Sequence, residues 1–394
     1  MCIAFIGQKG VPAKSGTIEK HVERLATRMA KEGHEVFAYV RPHYTDPKLK
    51  AWKGVHLIHL PSLHSKNLDA ISHTILSTVH ALFSGHDIIH YHGIGPSSLL
   101  FIPKILLRKA RIVSTFHCQD YFHKKWSWFA RIYLRFGEYI ACRIPDRTIV
   151  VSRELQQYVR RRYRRLAEFV PNGAEAGRTE NSSFLPTVGL REKRYVLSVG
   201  RLVGHKGVHY LIKAFLELED TNSLPNNTKL VIVGASAATP EYEKYLRLMA
   251  KGRENILFLG ERFNMELEQL FSHAAVFVQP SEAEGASLAL LEALGHSVPT
   301  IASNIRANAD ILGNAGLLFE NKNVADLREK LAYLLNRPED AAVFGDRGER
   351  LIRSKYSWDA LADRTLSIYG EIISARGRNR NVKRLAYKVG NTNV

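Results

Sequence analysis

The segment PSEAEGASLALLEALGHSVPTIAS, Pro280–Ser303, has the pattern of a strand end, a turn, a short helix and a second strand. The small residues of EGAS come directly before the apolar run LALLEALG, and the β-branched residues of VPTIAS follow it. Glu284 precedes the predicted helix and Glu292 lies inside it. Because the apolar run AVFVQ comes just before, the stretch is typical of a β-α-β unit with an acidic residue at the strand end.

Similar apolar strands, separated by amphipathic helices, recur along the whole chain. In the first half they are CIAFIG, EVFAYV, VHLIHL, DIIHYH, RIVSTFH and RTIVVS, and in the second YVLSVG, KLVIVG, NILFLG, AVFVQP, PTIAS and GLLF. Near-continuous apolar strands between helices indicate parallel sheets covered on both faces. We therefore predict an α/β protein with two Rossmann-like domains whose parallel sheets face an interdomain cleft.

The predicted boundaries follow the composition of the chain. The first domain covers 1–172 and the second 173–355, with a polar linker at 172–193. The amphipathic segment 356–374 is expected to be a helix that crosses back to the first domain. The basic segment 375–394, with six Lys or Arg and no acidic residue, is expected to be disordered.

Composition narrows the class of protein. The chain has 394 residues, 45% of them hydrophobic and 24% charged, as in globular proteins. No signal-like segment is seen at the start, and no apolar run approaches the roughly 20 residues that span a bilayer. The three cysteines, Cys2, Cys118 and Cys142, form no metal or disulfide pattern. We expect a cytoplasmic protein, peripheral on the inner face of the membrane.

The positive charge is concentrated. The net charge is +18, and residues 104–170 alone hold 16 Lys or Arg against 5 Asp or Glu. Such a surface suggests a polyanionic partner: a membrane, a nucleic acid or a phosphorylated substrate. Within it, WSWFARIYLRFGEYIACR spaces Trp126, Phe129, Tyr133, Phe136 and Ile140 at helical intervals. We expect this aromatic stripe to face the core, and the following YVRRRYRRLAEF to face an anionic surface.

Two strand-end motifs of the second half carry the chemistry. GRLVGHKG places Arg201 and Lys206 in a glycine-containing loop after a strand, where two cations suit a diphosphate leaving group. The backbone N–H groups of the small residues at the helix start can hold a phosphate. Glu292 could accept hydrogen bonds from a ribose diol, and Glu284 from sugar hydroxyls. Each motif alone also fits an ordinary basic loop or a helix-capping acid.

With these motifs the chain resembles the family 4 glycosyltransferases of the GT-B fold over nearly its whole length. The resemblance implies a retaining transfer from a nucleotide-sugar, with an acceptor-side first domain and a donor-binding second domain. It assigns catalytic roles to Glu284, Arg201, Lys206 and His117. The donor-binding residues that it implies are Gly16, Arg201, Lys206, Glu284, Gly285, Ala286, Ser287, Leu288 and Glu292.

Other strand ends match the family with less specific motifs. The glycine-rich first loop corresponds to 7–16, and VPNGAE, with Asn172, to a turn near the linker. Glu19 and His92 are candidates for the acceptor side. We expect His90, on the same strand face as His92, to be packed and hydrogen-bonded.

The resemblance also implies the partners. These are a nucleotide-sugar donor, a glycan or lipid-linked acceptor and an anionic membrane surface; nucleic acid is not expected. No cofactor and no metal are expected, because the sequence shows no strand-end DxD motif and no His/Cys cluster. Two alternatives stay open: a nucleic-acid- or polyanion-binding protein on a degenerate transferase fold, and a sugar-nucleotide epimerase of the same fold.

Overall fold

The chain forms two compact units in a computed structural model. The first unit comprises Met1–Pro171 together with Trp358–Val394, and the second comprises Asn172–Ser357. The structure describes residues 1–14, 16–63, 65, 68–122, 126–236 and 240–390, and beyond residue 375 it describes the backbone alone. In the described part of the chain, none of the helices combines the length and the apolar content needed to cross a bilayer.

The first unit is built on an eight-stranded sheet in the order β3-β4-β2-β1-β5-β6-β7-β8. All neighbouring strands are parallel except β3 and β4, which form a short antiparallel pair. The six predicted strands are present; β3 and β8, of two residues each, were not predicted. The strands are β1 Cys2–Ile6, β2 Glu35–Val40, β3 Ala51–Trp52, β4 Val55–His59, β5 Ile88–His92, β6 Arg111–Phe116, β7 Arg147–Val150 and β8 Glu168–Phe169.

Helices complete the first unit, and the last of them comes from the far end of the chain. That helix, α14, packs on α1, where Arg28 Nε lies 2.5 Å from Asp359 Oδ1 and Trp358 is buried. The helices are α1 Thr17–Lys31, α2 Asp69–Phe83, α3 Ile94–Ser97, α4 Phe101–Leu106, α5 Trp128–Arg143, α6 Arg153–Tyr163 and α14 Trp358–Gly390.

Helix α14 differs from the sequence prediction at its end. The segment from residue 375 was expected to be disordered, whereas the helix continues to Gly390. Nine of the sixteen residues from 375 to 390 are arginine, alanine, lysine or leucine, which are good helix formers, and no proline interrupts the segment. The last four residues of the predicted tail, 391–394, lie outside the described residues.

The aromatic stripe of α5 also differs from its prediction. Phe129 is 77% exposed and Phe136 is 47% exposed, so at these positions the expected core-facing orientation is wrong. Ile140 is buried as expected, and the half-buried Tyr133 bonds to Ser98 Oγ at 2.5 Å. The helix instead buries its small and aliphatic side, because Gly137 passes so close to α3 that an added Cβ would lie 2.0 Å from the Ile94 carbonyl oxygen.

The second unit has a six-stranded, fully parallel sheet in the order β11-β10-β9-β12-β13-β14. All six predicted strands are present. They are β9 Tyr195–Val199, β10 Lys229–Val233, β11 Ile256–Gly260, β12 Val276–Gln279, β13 Thr300–Ser303 and β14 Leu317–Phe319. The helices are α7 Val208–Asp220, α8 Pro240–Met249, α9 Asn264–Ser272, α10 Leu288–Gly295, α11 Arg306–Leu312, α12 Val324–Asn336 and α13 Pro338–Leu351, and a π-helical turn follows at Ile352–Tyr356.

Alternation along the strands of the second unit divides its core between two faces. Leu197 and Val231 pack in one apolar cluster, and their neighbours Val196 and Leu230 pack in the other. The sheet is therefore covered on both sides, as its continuous apolar strands predicted.

The segment predicted as a polar linker, 172–193, belongs to this second unit. Leu185 and Leu190 are 1% and 3% exposed and pack in its core with Phe184 and Ala174. The prediction of a linker is therefore wrong for much of this segment, because widely spaced apolar residues anchor it without a recognisable period.

Candidate active site

In each sheet, predicted site residues follow strands that meet at a topological switch point. In the second sheet, β9 and β12 are neighbours from which the chain proceeds toward opposite edges, giving the strand order 3-2-1-4-5-6 within the unit. Ligands of such sheets bind beyond the carboxyl ends of the strands at this point. The loops that follow β9 and β12 contain the two motifs singled out in the sequence. Residues of both loops and strand ends line one small cavity: Gly200, Arg201, Lys206, Gln279 and Pro280.

An ion pair joins the two loops. Lys206 Nζ donates to Glu284 Oε1 at 2.5 Å, and the same oxygen accepts from Gln279 Nε2 at 2.7 Å and from Ser281 Oγ at 2.6 Å. The Lys206 and Glu284 side chains are 15% and 9% exposed. Low exposure strengthens charge-assisted hydrogen bonds, so these donors hold the carboxylate in one orientation. All three of these bonds use Oε1, so none of them occupies Oε2.

A glycine explains how the loops approach so closely. Gly207 has φ +67°, and a Cβ at this position would lie 2.0 Å from the Pro280 carbonyl oxygen. Both the left-handed conformation and the close contact therefore require glycine here. This glycine ends the turn that carries Lys206 and begins α7.

The start of α10 is organised by a serine. Ser287 Oγ accepts from Leu290 N at 3.3 Å as the helix N-cap and donates to Gln279 Oε1 at 3.2 Å. Asn172 Nδ2 lies 3.4 Å from the Ala286 carbonyl oxygen. The first N–H groups of the helix have no partner within the helix itself. The structure therefore places the predicted phosphate-binding residues, Gly285 to Leu288, at a true helix N-terminus.

Two further predicted site residues are Arg201, which follows β9, and Glu292, which lies in α10. Arg201 is exposed, and among the described residues no carboxylate pairs with its guanidinium. It is therefore a cation at the cavity that an anionic ligand can engage. Glu292 is partly buried on α10, one turn after the N-cap bond.

Several polar residues around the site were given no role from the sequence, although Ser281 and Glu282 lie in the strand-end range that it singled out. Gln279 and Ser281 hold Glu284, and Glu282 accepts from Tyr210 Oη at 2.8 Å and pairs with Lys322 Nζ at 2.9 Å. Burial opposes the ionisation of Glu282, but the hydrogen bonds from Lys322 and Tyr210 outweigh it and lower its pKa. Their position at the end of the apolar strand β12 was the sequence feature that could have indicated a role for Gln279 and Ser281 in the site.

The first sheet has its own switch point between β1 and β5. Gly7 follows β1 with φ +118°, and a Cβ there would lie 2.3 Å from the His92 carbonyl oxygen. Glu19, buried in the first turn of α1, accepts from Lys9 N at 3.1 Å. Gly16, at φ +101°, is the residue before α1, so close to Glu19 that a Cβ would meet its carboxylate. The predicted acceptor-side residues thus lie at one edge of this sheet.

Three histidines gather at the same edge. His92 Nδ1 and His117 Nε2 are 3.1 Å apart, so one ring donates to the other, and His21 packs edge-on against His117 with ring centroids 4.9 Å apart. Burial, with further contributions from neighbouring histidines, lowers the pKa of both His92 and His117 well below the usual value. Both imidazoles are therefore neutral at physiological pH.

These histidines correct one prediction. His21, His92 and His117 each offer a ligand atom, and the three atoms lie within 4.8 Å of one another. The sequence was expected to contain no strand-end His/Cys cluster, whereas the structure brings three histidine side chains close enough together that they could hold a metal ion. The cluster escaped notice because His21 comes from α1 and the other two from separate strand ends. His90 is packed as predicted, bonding to Tyr369 Oη at 2.6 Å and to Thr115 Oγ1 at 2.7 Å.

Comparison with known families agrees with this architecture. Residues 18–178 match the family model of Glycosyltransferase Family 4, and residues 186–351 match that of Glycosyl transferases group 1. The two matches together cover most of both units. An uncharacterised glycosyltransferase of Methanocaldococcus jannaschii is 26% identical over 366 residues, covering 91% of this chain and 95% of that protein.

Solved structures share the fold. Sucrose-phosphate synthase from Thermosynechococcus elongatus has a TM-score of 0.77 at 21% identity, covering 95% of this chain and 99% of the other. The HepE protein of Anabaena, solved in complex with UDP-glucose, has a TM-score of 0.72 at 18% identity and covers 95% and 100% of the two chains. With both family matches and this architecture, the chain belongs to the family 4 glycosyltransferases and has the GT-B fold.

Proposed function

We propose that this glycosyltransferase moves a sugar from a nucleotide-diphosphate donor to an acceptor hydroxyl with retention of configuration at the anomeric carbon. The observation that carries the proposal is the Lys206–Glu284 pair at the switch point of the second sheet, beside the exposed Arg201. Two cations and a helix N-terminus suit a diphosphate. The HepE complex with UDP-glucose supports a nucleotide-sugar as the donor class.

Arg201, Lys206 and the N-terminus of α10 are assigned to the diphosphate leaving group. As the bond between the sugar and the phosphate breaks, negative charge develops on the phosphate oxygens, and preorganised cations stabilise it without reorganisation. Glu284 holds Lys206 in place through Oε1, and its Oε2 is available to accept from a sugar hydroxyl. Glu292 is assigned to the ribose diol.

The acceptor attacks from the face that the leaving group departs from. A phosphate oxygen of the leaving group takes the acceptor proton, so no strong protein base is required. On the first unit, the neutral imidazole of His117 is assigned to a hydroxyl of the transferred sugar, and His92 and Glu19 to the acceptor side. Because their lowered pKa values make His92 and His117 weak bases, these side chains are assigned to positioning hydroxyls rather than to removing protons.

A lipid-linked or cell-envelope glycan is the proposed acceptor class, with an anionic membrane as the surface where it is met. The support is the outer side of α5, where Trp128, Phe129 and Ile132 are exposed among arginines. Aromatic and apolar side chains beside cations suit a headgroup interface.

The test begins with the melting temperature of the purified chain in UDP, GDP, ADP and dTDP, at low and high salt. Stabilisation by one nucleotide identifies the donor class, and turnover of the matching nucleotide-sugars follows. The anomeric configuration of the product, read by NMR, decides retention. No stabilisation by any nucleotide together with salt-dependent nucleic-acid binding would overturn the proposal, and isomerisation of a nucleotide-sugar without transfer would identify an epimerase.

A further inference from the structure

A second cavity, of about 640 Å³, lies in the first unit. It is bordered by α5, by α6 and by the segment after β6. Three arginines and four tyrosines dominate its lining, which consists of Gln119, Tyr121, Arg135, Glu138, Tyr139, Arg143, Tyr158, Arg162 and Tyr163. The residues assigned to sugar transfer take no part in it.

The arginines give this cavity a net positive charge. Arg135 stacks over the Tyr121 ring at 5.3 Å, and Arg143 Nη1 donates to the Tyr163 carbonyl oxygen at 2.8 Å. Within the described part of the chain, neither these two nor the exposed Arg162 forms an ion pair with a carboxylate. Three guanidinium groups thus share a cavity whose described lining contains one carboxylate, that of Glu138, which can balance only one of the three charges.

Glu138 has an unused acceptor. Its side chain is 2% exposed, and Oε1 accepts from Tyr158 Oη at 2.7 Å and from Tyr163 Oη at 2.5 Å. Burial, with Glu138 nearby, raises the pKa of Tyr158 to about 12, so its phenol stays a donor. The other carboxylate oxygen, Oε2, is buried and has no hydrogen-bond partner among the described residues. Such an oxygen is costly to leave unpaired, and a ligand hydroxyl would satisfy it.

We propose that this cavity binds the head group of an anionic lipid that carries both a phosphate and hydroxyl groups. Guanidinium groups bind phosphate oxygens with paired hydrogen bonds, Glu138 Oε2 accepts from a hydroxyl, and tyrosine rings cover the carbon skeleton of a polyol. The proposal rests on the membrane contact proposed above and is independent of the transfer reaction.

The lipid is favoured over a free phosphorylated polyol by the surroundings of the cavity. Phe129, Ile132 and Phe136 are exposed on α5, the helix that supplies Arg135, Glu138, Tyr139 and Arg143 to the lining. Apolar chains attached to a bound head group would find this apolar surface on the same helix. The positive charge of residues 104–170 attracts the same membrane surface.

The experiment measures binding of the full chain to phosphatidylcholine vesicles that contain either phosphatidylglycerol or phosphatidylserine at equal surface charge. The glycerol head group offers hydroxyls and the serine head group offers none. The pocket variant is Arg135→Gln/Arg162→Gln, and its matched control is Arg131→Gln/Arg161→Gln. The control removes the same two charges from the same helices at exposed positions outside the cavity lining.

We expect the parent chain to prefer phosphatidylglycerol. Each variant lacks two cations, and the loss of their general attraction to an anionic surface weakens its binding to either lipid by about 30-fold. On phosphatidylglycerol the pocket variant should lose about tenfold more affinity than the control variant, as expected for a lost charge-assisted hydrogen bond. On phosphatidylserine, whose head group offers no hydroxyl to Glu138, the two variants should lose affinity equally. Equal losses for the two variants on both lipids would overturn the proposal. Saturable binding of free sn-glycerol 1-phosphate, without any preference for vesicles, would overturn the lipid as the source.

Discussion

Lys206 Nζ and Glu284 Oε1 lie 2.5 Å apart although 78 residues separate them in the chain. The two loops that carry them follow neighbouring strands, and the tight passage of Gly207 against Pro280 brings them together. The pair is therefore part of the rigid strand-end architecture. It holds a cation at the cavity where a diphosphate is proposed to bind.

Replacing Lys206 should reduce transfer far more than it reduces folding. For Lys206→Ala we expect a roughly 100-fold or greater loss of kcat, because a preorganised charge at the leaving group acts mainly in the transition state. The measurement is turnover of the nucleotide-sugar found by the nucleotide screen. The matched control is Lys213→Ala, an exposed lysine on α7 that lies outside the cavity. Near-normal turnover of Lys206→Ala would refute the assignment.

Glu292 should be required for nucleotide binding. A ligand at 100 times its Kd stabilises the folded chain by about 2.7 kcal/mol. We expect the corresponding rise in melting temperature to be lost in Glu292→Ala and kept in Glu268→Ala, which changes an exposed glutamate of α9. An unchanged nucleotide response in Glu292→Ala would show that the ribose is held elsewhere.

Gly207 should tolerate no side chain. In Gly207→Ala the methyl group would meet the Pro280 carbonyl oxygen in a left-handed conformation. We expect unfolding free energy to fall by at least about 2 kcal/mol. Gly204→Ala is the matched control in the same turn, since nothing lies within 4 Å of its Cβ position. Chemical denaturation measures both, and equal stabilities would contradict the close approach of the two loops.

Buried histidines should make the first unit sensitive to acid. Burial lowers the pKa of His73 to about 4, and the pKa values of His90, His92 and His117 also fall. The unfolded chain therefore binds more protons than the folded chain below about pH 6.5. Stability is complete above that pH and falls as the pH decreases toward 4, by about 3 kcal/mol for His73 alone.

The contribution of His73 can be isolated by substitution. His73→Phe should flatten the dependence of unfolding free energy on pH between 6.5 and 4, whatever its effect at neutral pH. Denaturant titrations of the parent and the variant at several pH values measure this slope. Identical slopes in the two proteins would mean that His73 protonates as readily in the folded chain as in the unfolded one.

The exposed side of α5 should matter for membranes and not for folding. Phe129→Ser is expected to weaken vesicle binding by about tenfold, because a buried phenylalanine contributes roughly 1.5–3 kcal/mol. Its stability should change little, since the side chain is 77% exposed. Leu134→Ala, on the buried side of the same helix, should instead lose about 2–5 kcal/mol of stability. Unchanged vesicle binding by Phe129→Ser would remove α5 from the membrane contact.

Much of the fold could be predicted from local patterns. Each of the twelve apolar runs quoted above is a strand, because a strand buried on both faces must be apolar along its length. The strand-end loops GRLVGHKG and EGAS could likewise be predicted as sites, since parallel strands bring their carboxyl ends to one edge. The relation of Lys206 to Glu284 follows from that geometry once the strand order is known.

The sequence by itself determined the α/β architecture, the strand-end motifs and the concentration of positive charge in the first unit. Only the tertiary structure decided which side of α5 is buried, because the contact of Gly137 with α3, and not the spacing of aromatics, sets its orientation. It also decided the cluster of His21, His92 and His117 and the unpaired Glu138 Oε2. These features depend on contacts between residues that are distant in the chain, which local periodicity does not encode.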